Sequence, residues 1–72
     1  MTATILIVDD DDRLRQVIDD YLRSEGFTTM QAASGTEALA LWQERRPDLL
    51  VLDWMMPGRS GIEVAREIRR KQ

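Results

Sequence analysis

Two groups of aspartates stand where apolar segments of the chain end. Asp9–Asp12 follow the β-branched run at 4–8, and Asp53 is the last residue of the apolar run at 49–53. If these runs are neighbouring parallel strands, ~4.8 Å apart, Asp53 and the first two aspartates of the quartet converge on one small volume. Carboxylates crowded in this way repel one another, and a divalent cation such as Mg2+ removes that repulsion.

The predicted cluster suits phosphoryl chemistry. Mg2+ usually takes one or two protein carboxylates together with phosphate oxygens, and a carboxylate can itself attack phosphorus to form an aspartyl phosphate. Asp53 is the better candidate nucleophile because it ends a buried strand, whereas Asp9 and Asp10 precede a helix and can face a cation. Asp11 and Asp12 are expected to cap that helix and to interact with its dipole. Without Asp53 nearby, Asp9 and Asp10 would fit the same role.

The composition excludes several other kinds of site. The 72 residues contain no cysteine and no histidine, which rules out disulfides, thiolate or imidazole metal ligands and histidine-dependent catalysis. A net charge of -3 disfavours binding to nucleic acid or to an anionic membrane, so we expect neither contact. No signal peptide and no membrane span are visible in the sequence, which predicts a cytoplasmic location.

Alternating strands and helices must position the aspartates. Strands are predicted at 4–8, 27–32 and 49–53, and helices at 13–25, from the Ser34 cap to Arg46, and from the Ser60 cap to the basic turn at 69–71. This alternation predicts a parallel sheet with right-handed crossovers. The second strand is half polar and belongs at an edge, whereas the first is apolar on both faces. The predicted order is therefore 2-1-3, a doubly wound arrangement with the first two helices on opposite faces and the apolar third strand at an open edge.

Two local predictions concern the helices. The first helix has an apolar face made of Leu14, Val17, Ile18, Tyr21 and Leu22. The opposite face carries charged residues, which are Arg15, Asp19, Asp20 and Arg23. At the end of the second helix, Pro47 is expected to hold Arg46 in an extended conformation.

Two segments of the sequence resemble the receiver domain of bacterial two-component response regulators, in the subfamily with winged-helix DNA-binding output. They read ILIVDDDDRLR at 5–15 and LLVLDWMMPGRSGIEVAREIR at 49–69. The resemblance extends over essentially all 72 residues and implies a flavodoxin-like fold. We expect the chain to hold the N-terminal βαβαβα portion of that fold, so that residues 1–72 form a partial receiver domain.

The resemblance implies a role for individual residues. Asp53 matches the phosphoacceptor that takes a phosphoryl group from a histidine kinase. Asp9 and Asp10 match the acidic pair that binds Mg2+, and the backbone carbonyl of Met55 matches a further metal ligand beside Asp53. The residues that match the neighbouring loop and the start of the third helix are Pro57, Gly58 and Gly61. We expect the chain not to be an enzyme.

The resemblance also leads us to expect impaired chemistry. The family's domain has five strand–helix units, and the 72 residues contain no counterpart of the hydroxyl residue on strand four or the lysine on strand five. We therefore expect weak Mg2+ binding and poor phosphorylation. An alternative is a self-associating half-domain in which two copies join their third strands. A Mg2+-dependent phosphohydrolase is a third reading, but it calls for an aspartate at position 55, which is Met.

Overall fold

The computed structural model describes residues 2–52 and Arg70. The elements within residues 2–52 are β1 (Thr4–Val8), α1 (Asp12–Ser24), β2 (Thr28–Ala32), α2 (Gly35–Arg45) and β3 (Leu49–Leu52). They agree closely with the predicted strands and helices. Arg70 is helical, and the rest of the third predicted helix lies outside the described residues. No helix in the described part of the chain is long and apolar enough to cross a membrane.

The sheet has the predicted strand order, β2-β1-β3, and β1 pairs in parallel with both neighbours. Val8, the last residue of β1, stands opposite Ala32 on one side and Leu52 on the other. All three strands therefore end level, at one edge of the sheet. The central position of β1 explains why its residues 5–8 are buried on both faces.

The two helices pack on opposite faces of the sheet. The core around α2 contains buried residues of β1, β2 and α2, namely Leu6, Val8, Ala32, Ala38, Leu39 and Trp42. Because side chains alternate along a strand, Ile5 and Ile7 point to the other face, where α1 contacts β1 and β2. The doubly wound arrangement predicted from the sequence is thus confirmed.

The rotation of α1 differs from the predicted one. Asp19, predicted to lie on the polar face, is only 2% exposed. Part of the predicted apolar face is instead in solvent, at Leu14, Val17 and Tyr21. The prediction that all of this face turns inward is therefore wrong.

Polar residues of β2 give the physical reason for this rotation. Gln31 accepts a hydrogen bond from Arg15 Nε (2.8 Å), and Thr29 Oγ1 accepts one from Arg23 Nε (3.0 Å). Arg23 Nε also lies 3.0 Å from Asp19 Oδ2. Since an edge strand with polar side chains offers partners to polar residues, α1 turns Arg15 and Arg23 toward β2 rather than away from it.

The ends of the two helices differ from each other. Gly26 lies just past α1 with a φ of +93°, a left-handed conformation that glycine adopts without strain, as predicted. Arg46 also has a left-handed conformation, with φ of 47° and ψ of 65°, so the prediction of an extended residue there is wrong. Its N–H donates to Trp42 O (2.9 Å) and its guanidinium lies 4.1 Å from the Trp42 ring centroid, two contacts that offset the backbone strain.

A pair of identical substitutions tests which leucines form the core. Leu6 is fully buried, whereas Leu14 on α1 is 48% exposed. We expect Leu6→Ala to lower the free energy of unfolding by about 2–5 kcal/mol, because it leaves a cavity between β1 and α2. Leu14→Ala should cost less than about 1 kcal/mol, because little apolar surface is buried there. Urea unfolding followed by circular dichroism measures both, and equal losses would contradict the described core.

Candidate functional site

Asp9 stands at the carboxyl end of β1, the predicted location of the site. Its side chain is buried, and its N–H donates to Ala32 O (3.1 Å), which extends the hydrogen bonding to β2 by one residue. Its carboxylate oxygen Oδ1 accepts a hydrogen bond from the N–H of Asp11 (2.9 Å). Backbone and side chain are therefore both fixed at the point where the strand ends.

Asp11 is the residue that caps α1. Its Oδ1 accepts hydrogen bonds from the N–H groups of Arg13 (3.0 Å) and Leu14 (3.1 Å), which have no partner within the helix. Asp12 is the first helical residue, where the helix dipole favours an acid. The predicted capping role is confirmed for Asp11, and the predicted place in the first turn is confirmed for Asp12. Asp9 and Asp10 lie before the helix.

Arg15 is a contributor to this region that the sequence analysis did not identify. Its guanidinium donates from Nη1 to the carbonyl oxygen of Asp9 (2.7 Å) and from Nε to Gln31 Oε1 (2.8 Å). Nη2 lies 2.6 Å from Asp12 Oδ1, and the side chain is 14% exposed. The available signal was a polar residue, Gln31, in the predicted edge strand, which could have indicated a polar partner on α1.

The remaining predicted site residues are only partly described. Asp10 is exposed beside Asp9. The residues outside the described part of the chain are Asp53, Met55, Pro57, Gly58 and Gly61. Among residues 2–52 and Arg70, no three acidic side chains gather to hold a metal ion. The third acid of the predicted set, Asp53, follows Leu52, which pairs with Val8 in the sheet.

The donors at the end of β1 fit a hard cation. Asp9 and Asp10 offer carboxylate oxygens, the ligands that Mg2+ prefers. The hydrogen bond from Asp11 holds the Asp9 carboxylate in one orientation before any ion binds. A buried carboxylate with an acidic neighbour also gains from a cation that offsets its charge. These residues could therefore hold Mg2+ together with a further oxygen ligand.

A protein-family model assigns the chain to a group of known domains. Residues 5–72 match the response regulator receiver domain. Members of this family act with histidine kinases in two-component systems and use Mg2+ for phosphorylation. They also catalyse their own phosphorylation, so the expectation that the chain is not an enzyme is wrong for its family.

Curated relatives indicate which kind of response regulator the chain resembles. The chain is 45% identical over 69 residues to the phosphate regulon transcriptional regulatory protein PhoB of Pseudomonas aeruginosa, covering 96% of this chain and 30% of that protein. It is 48% identical over 69 residues to the DNA-binding response regulator MtrA of Mycobacterium tuberculosis, again covering 96% of this chain and 30% of the relative. The chain thus spans about a third of the length of these transcriptional regulators.

Solved structures agree with this assignment. The response regulator TrrA of Thermotoga maritima, in complex with Mg2+ and BeF, is 43% identical and has a TM-score of 0.94, with all of this chain and 62% of that chain covered. The chemotaxis protein CheY4 of Vibrio cholerae is 35% identical with a TM-score of 0.95, covering 99% of this chain and 59% of the other. The fold is therefore the flavodoxin-like fold of receivers, and the chain belongs to the response regulator receiver domain family.

Proposed function

We propose that the chain is a phosphoacceptor module in which Asp53 takes a phosphoryl group from a histidine kinase. In this proposal Asp9, Asp10, Asp53 and the backbone carbonyl of Met55 bind Mg2+. The observation that carries it is the register of the sheet: Val8 pairs with Leu52, and an aspartate follows each of them in the sequence. Parallel strands that end level deliver the residues after them to the same edge, where doubly wound folds bind their ligands.

The proposed roles differ because the surroundings of the aspartates differ. Asp9 is buried and its carboxylate is oriented by the Asp11 N–H, so it can offer a fixed ligand oxygen. Asp10 is exposed and can approach an ion from the solvent side. Asp53 follows a wholly apolar strand, which suits a nucleophile that must be held in place.

The proposed reaction moves one phosphoryl group. A carboxylate oxygen of Asp53 attacks phosphorus as the bond from phosphorus to the kinase's histidine nitrogen breaks, and that nitrogen keeps the bonding electron pair. A bound Mg2+ would neutralise charge on the phosphoryl oxygens. Asp9 and Asp10 offset the charge of the ion and fix its location beside the acceptor.

The wider role of the protein is also a proposal. The relatives are named as transcriptional and DNA-binding regulators, so we propose that this module controls such an output in the cytoplasm. The kinase is its proposed partner. We do not assign a nucleic-acid contact to the 72 residues themselves, because their net charge is -3.

Phosphorylation of Asp53 can be tested with a small phosphodonor. We expect the chain to gain one phosphoryl group, detected by intact mass, when acetyl phosphate and Mg2+ are both present. Asp53→Asn should abolish the gain because the nucleophilic oxygen is lost. Asp10→Asn should reduce it at limiting Mg2+.

Asp20→Asn is the matched control for these variants. Asp20 is exposed on α1 and accepts a hydrogen bond from Gln16 (2.9 Å), so the substitution removes one carboxylate away from the strand ends. It should leave the phosphorylation yield unchanged. Persistence of the acyl phosphate in Asp53→Asn would refute the assigned acceptor.

A second candidate function is self-association through β3. Within residues 2–52, β3 is hydrogen-bonded to β1 on one side only, and Leu49 at its start is 56% exposed. An apolar strand edge pairs readily with another strand, and two copies could join their third strands about a twofold axis. This reading concerns assembly and requires no phosphoryl transfer.

Sedimentation at increasing concentration tests self-association independently of phosphorylation. The pairing model predicts a dimer at high micromolar concentration, and Leu49→Lys should shift the equilibrium toward monomer because it places a charge on the exposed edge. Thr2→Lys adds the same charge at an exposed residue that precedes β1 and serves as the control. A folded wild-type monomer throughout this range would exclude self-association.

A further inference from the structure

Arg15 links three parts of the molecule that meet at the proposed site. It begins on the first turn of α1, contacts Gln31 on β2, and donates to the carbonyl oxygen of Asp9 at the end of β1. The backbone N–H of Arg15 makes the first hydrogen bond within the helix, to Asp11 O (2.9 Å). With 14% of its side chain exposed, the guanidinium is largely fixed.

The contact with Asp9 O acts on more than one residue. A peptide group is planar, so a hydrogen bond to this carbonyl also fixes the direction of the peptide that leads into Asp10. The N–H of Asp9 is fixed on its other side by Ala32 O (3.1 Å). Together these bonds fix the backbone positions from which the side chains of Asp9 and Asp10 project.

The contacts require an arginine rather than a simple positive charge. Nε, Nη1 and Nη2 each reach a different acceptor, on Gln31, Asp9 and Asp12. A planar guanidinium provides donors in these fixed directions, whereas a lysine ammonium reaches them one at a time from a flexible stem. The ion pair with the exposed Asp12 adds little by itself, so the contacts with Gln31 and Asp9 carry the effect.

We propose that Arg15 is a positioning residue that holds the Asp9–Asp10 turn in the conformation that binds Mg2+. This inference rests on the proposed function, since it takes Asp9 and Asp10 as the metal ligands. Arg15 touches neither the ion nor the phosphoryl group in this account. It acts through the backbone of Asp9.

Loss of the Arg15 charge and loss of its hydrogen bond to Asp9 O should change the affinity for Mg2+ in opposite directions, which makes the proposal testable. A nearby cation repels Mg2+, so removing the charge of Arg15 would by itself tighten binding. Losing the hydrogen bond to Asp9 O would loosen the turn and weaken binding. If the positioning effect dominates, both Arg15→Lys and Arg15→Gln weaken Mg2+ binding, although only the second removes the charge.

The experiment is a Mg2+ titration of the 72-residue chain, followed by the NMR amide signals of Asp9, Asp10 and Asp11. We expect the Kd to rise about tenfold in Arg15→Lys, the lower end of the range for outer-shell partners. It should rise by a smaller factor in Arg15→Gln, because the lost charge offsets part of the effect. Gln31→Ala, which loosens Arg15 without changing it, should raise the Kd by a smaller factor. Arg13→Gln removes the same charge from an exposed residue and should not weaken binding.

Urea unfolding of each variant separates positioning from stability. A merely structural role for Arg15 lowers the unfolding midpoint but leaves the Kd of the folded chain unchanged, and that result overturns the proposal. An unchanged Kd in Arg15→Lys with tighter binding in Arg15→Gln also overturns it in favour of charge. If Arg15→Gln does not fold, Arg15→Lys and Gln31→Ala decide the question.

The wild-type titration tells failure of this inference apart from failure of the proposed function. If Mg2+ does not shift the amide signals of the wild-type chain, both are refuted. If the wild-type chain binds Mg2+ and the variants bind it equally well, only the inference is refuted.

Discussion

The parallel pairing of β1 with its two neighbours is the constraint on which the rest of this structure depends. Residues 5–8 are buried on both faces, so β1 must lie in the centre, and its register makes β2 and β3 end level with it. A slip of one residue would turn Leu6 and Val8 away from Trp42 and would move the end of β1 relative to Leu52. The same pairing therefore determines both the apolar core and the edge where the proposed site forms.

The two faces of the sheet are held by different kinds of contact. The α2 face is an apolar cluster around Trp42, whereas α1 reaches β2 through Arg15 and Arg23, the second of which also pairs with the buried Asp19. Polar contacts of this kind are directional, so they fix the rotation of α1 more sharply than apolar packing alone would. One of them ends on the carbonyl of Asp9, which couples the docking of the helix to the conformation of the proposed metal-binding turn.

Sequence reasoning was accurate where local composition determines structure. Helical periodicity and turn residues predicted the capping aspartate Asp11 and Gly26 after α1. The apolar or half-polar character of each strand predicted the strand order. Sequence reasoning failed where a tertiary partner determines the conformation. Arg46 takes a left-handed conformation against Trp42, and the rotation of α1 depends on polar partners across β2 that helical periodicity does not include. The location of Asp9 was predictable because it ends a strand. The proposed role of Arg15 was not, because it depends on how α1 packs against Gln31 on β2 and on how the chain turns between β1 and α1.

The proposed function requires that Asp9, Asp10 and Asp53 form one metal site at the level ends of β1 and β3. Paramagnetic broadening by substoichiometric Mn2+ locates such a site, because broadening falls steeply with distance from the ion. We expect selective loss of the NMR amide signals of Asp9, Asp10, Asp11 and Asp53, and their recovery when excess Mg2+ displaces Mn2+. Broadening centred instead on another acidic stretch, such as Asp19 and Asp20, or spread evenly along the chain, would contradict it.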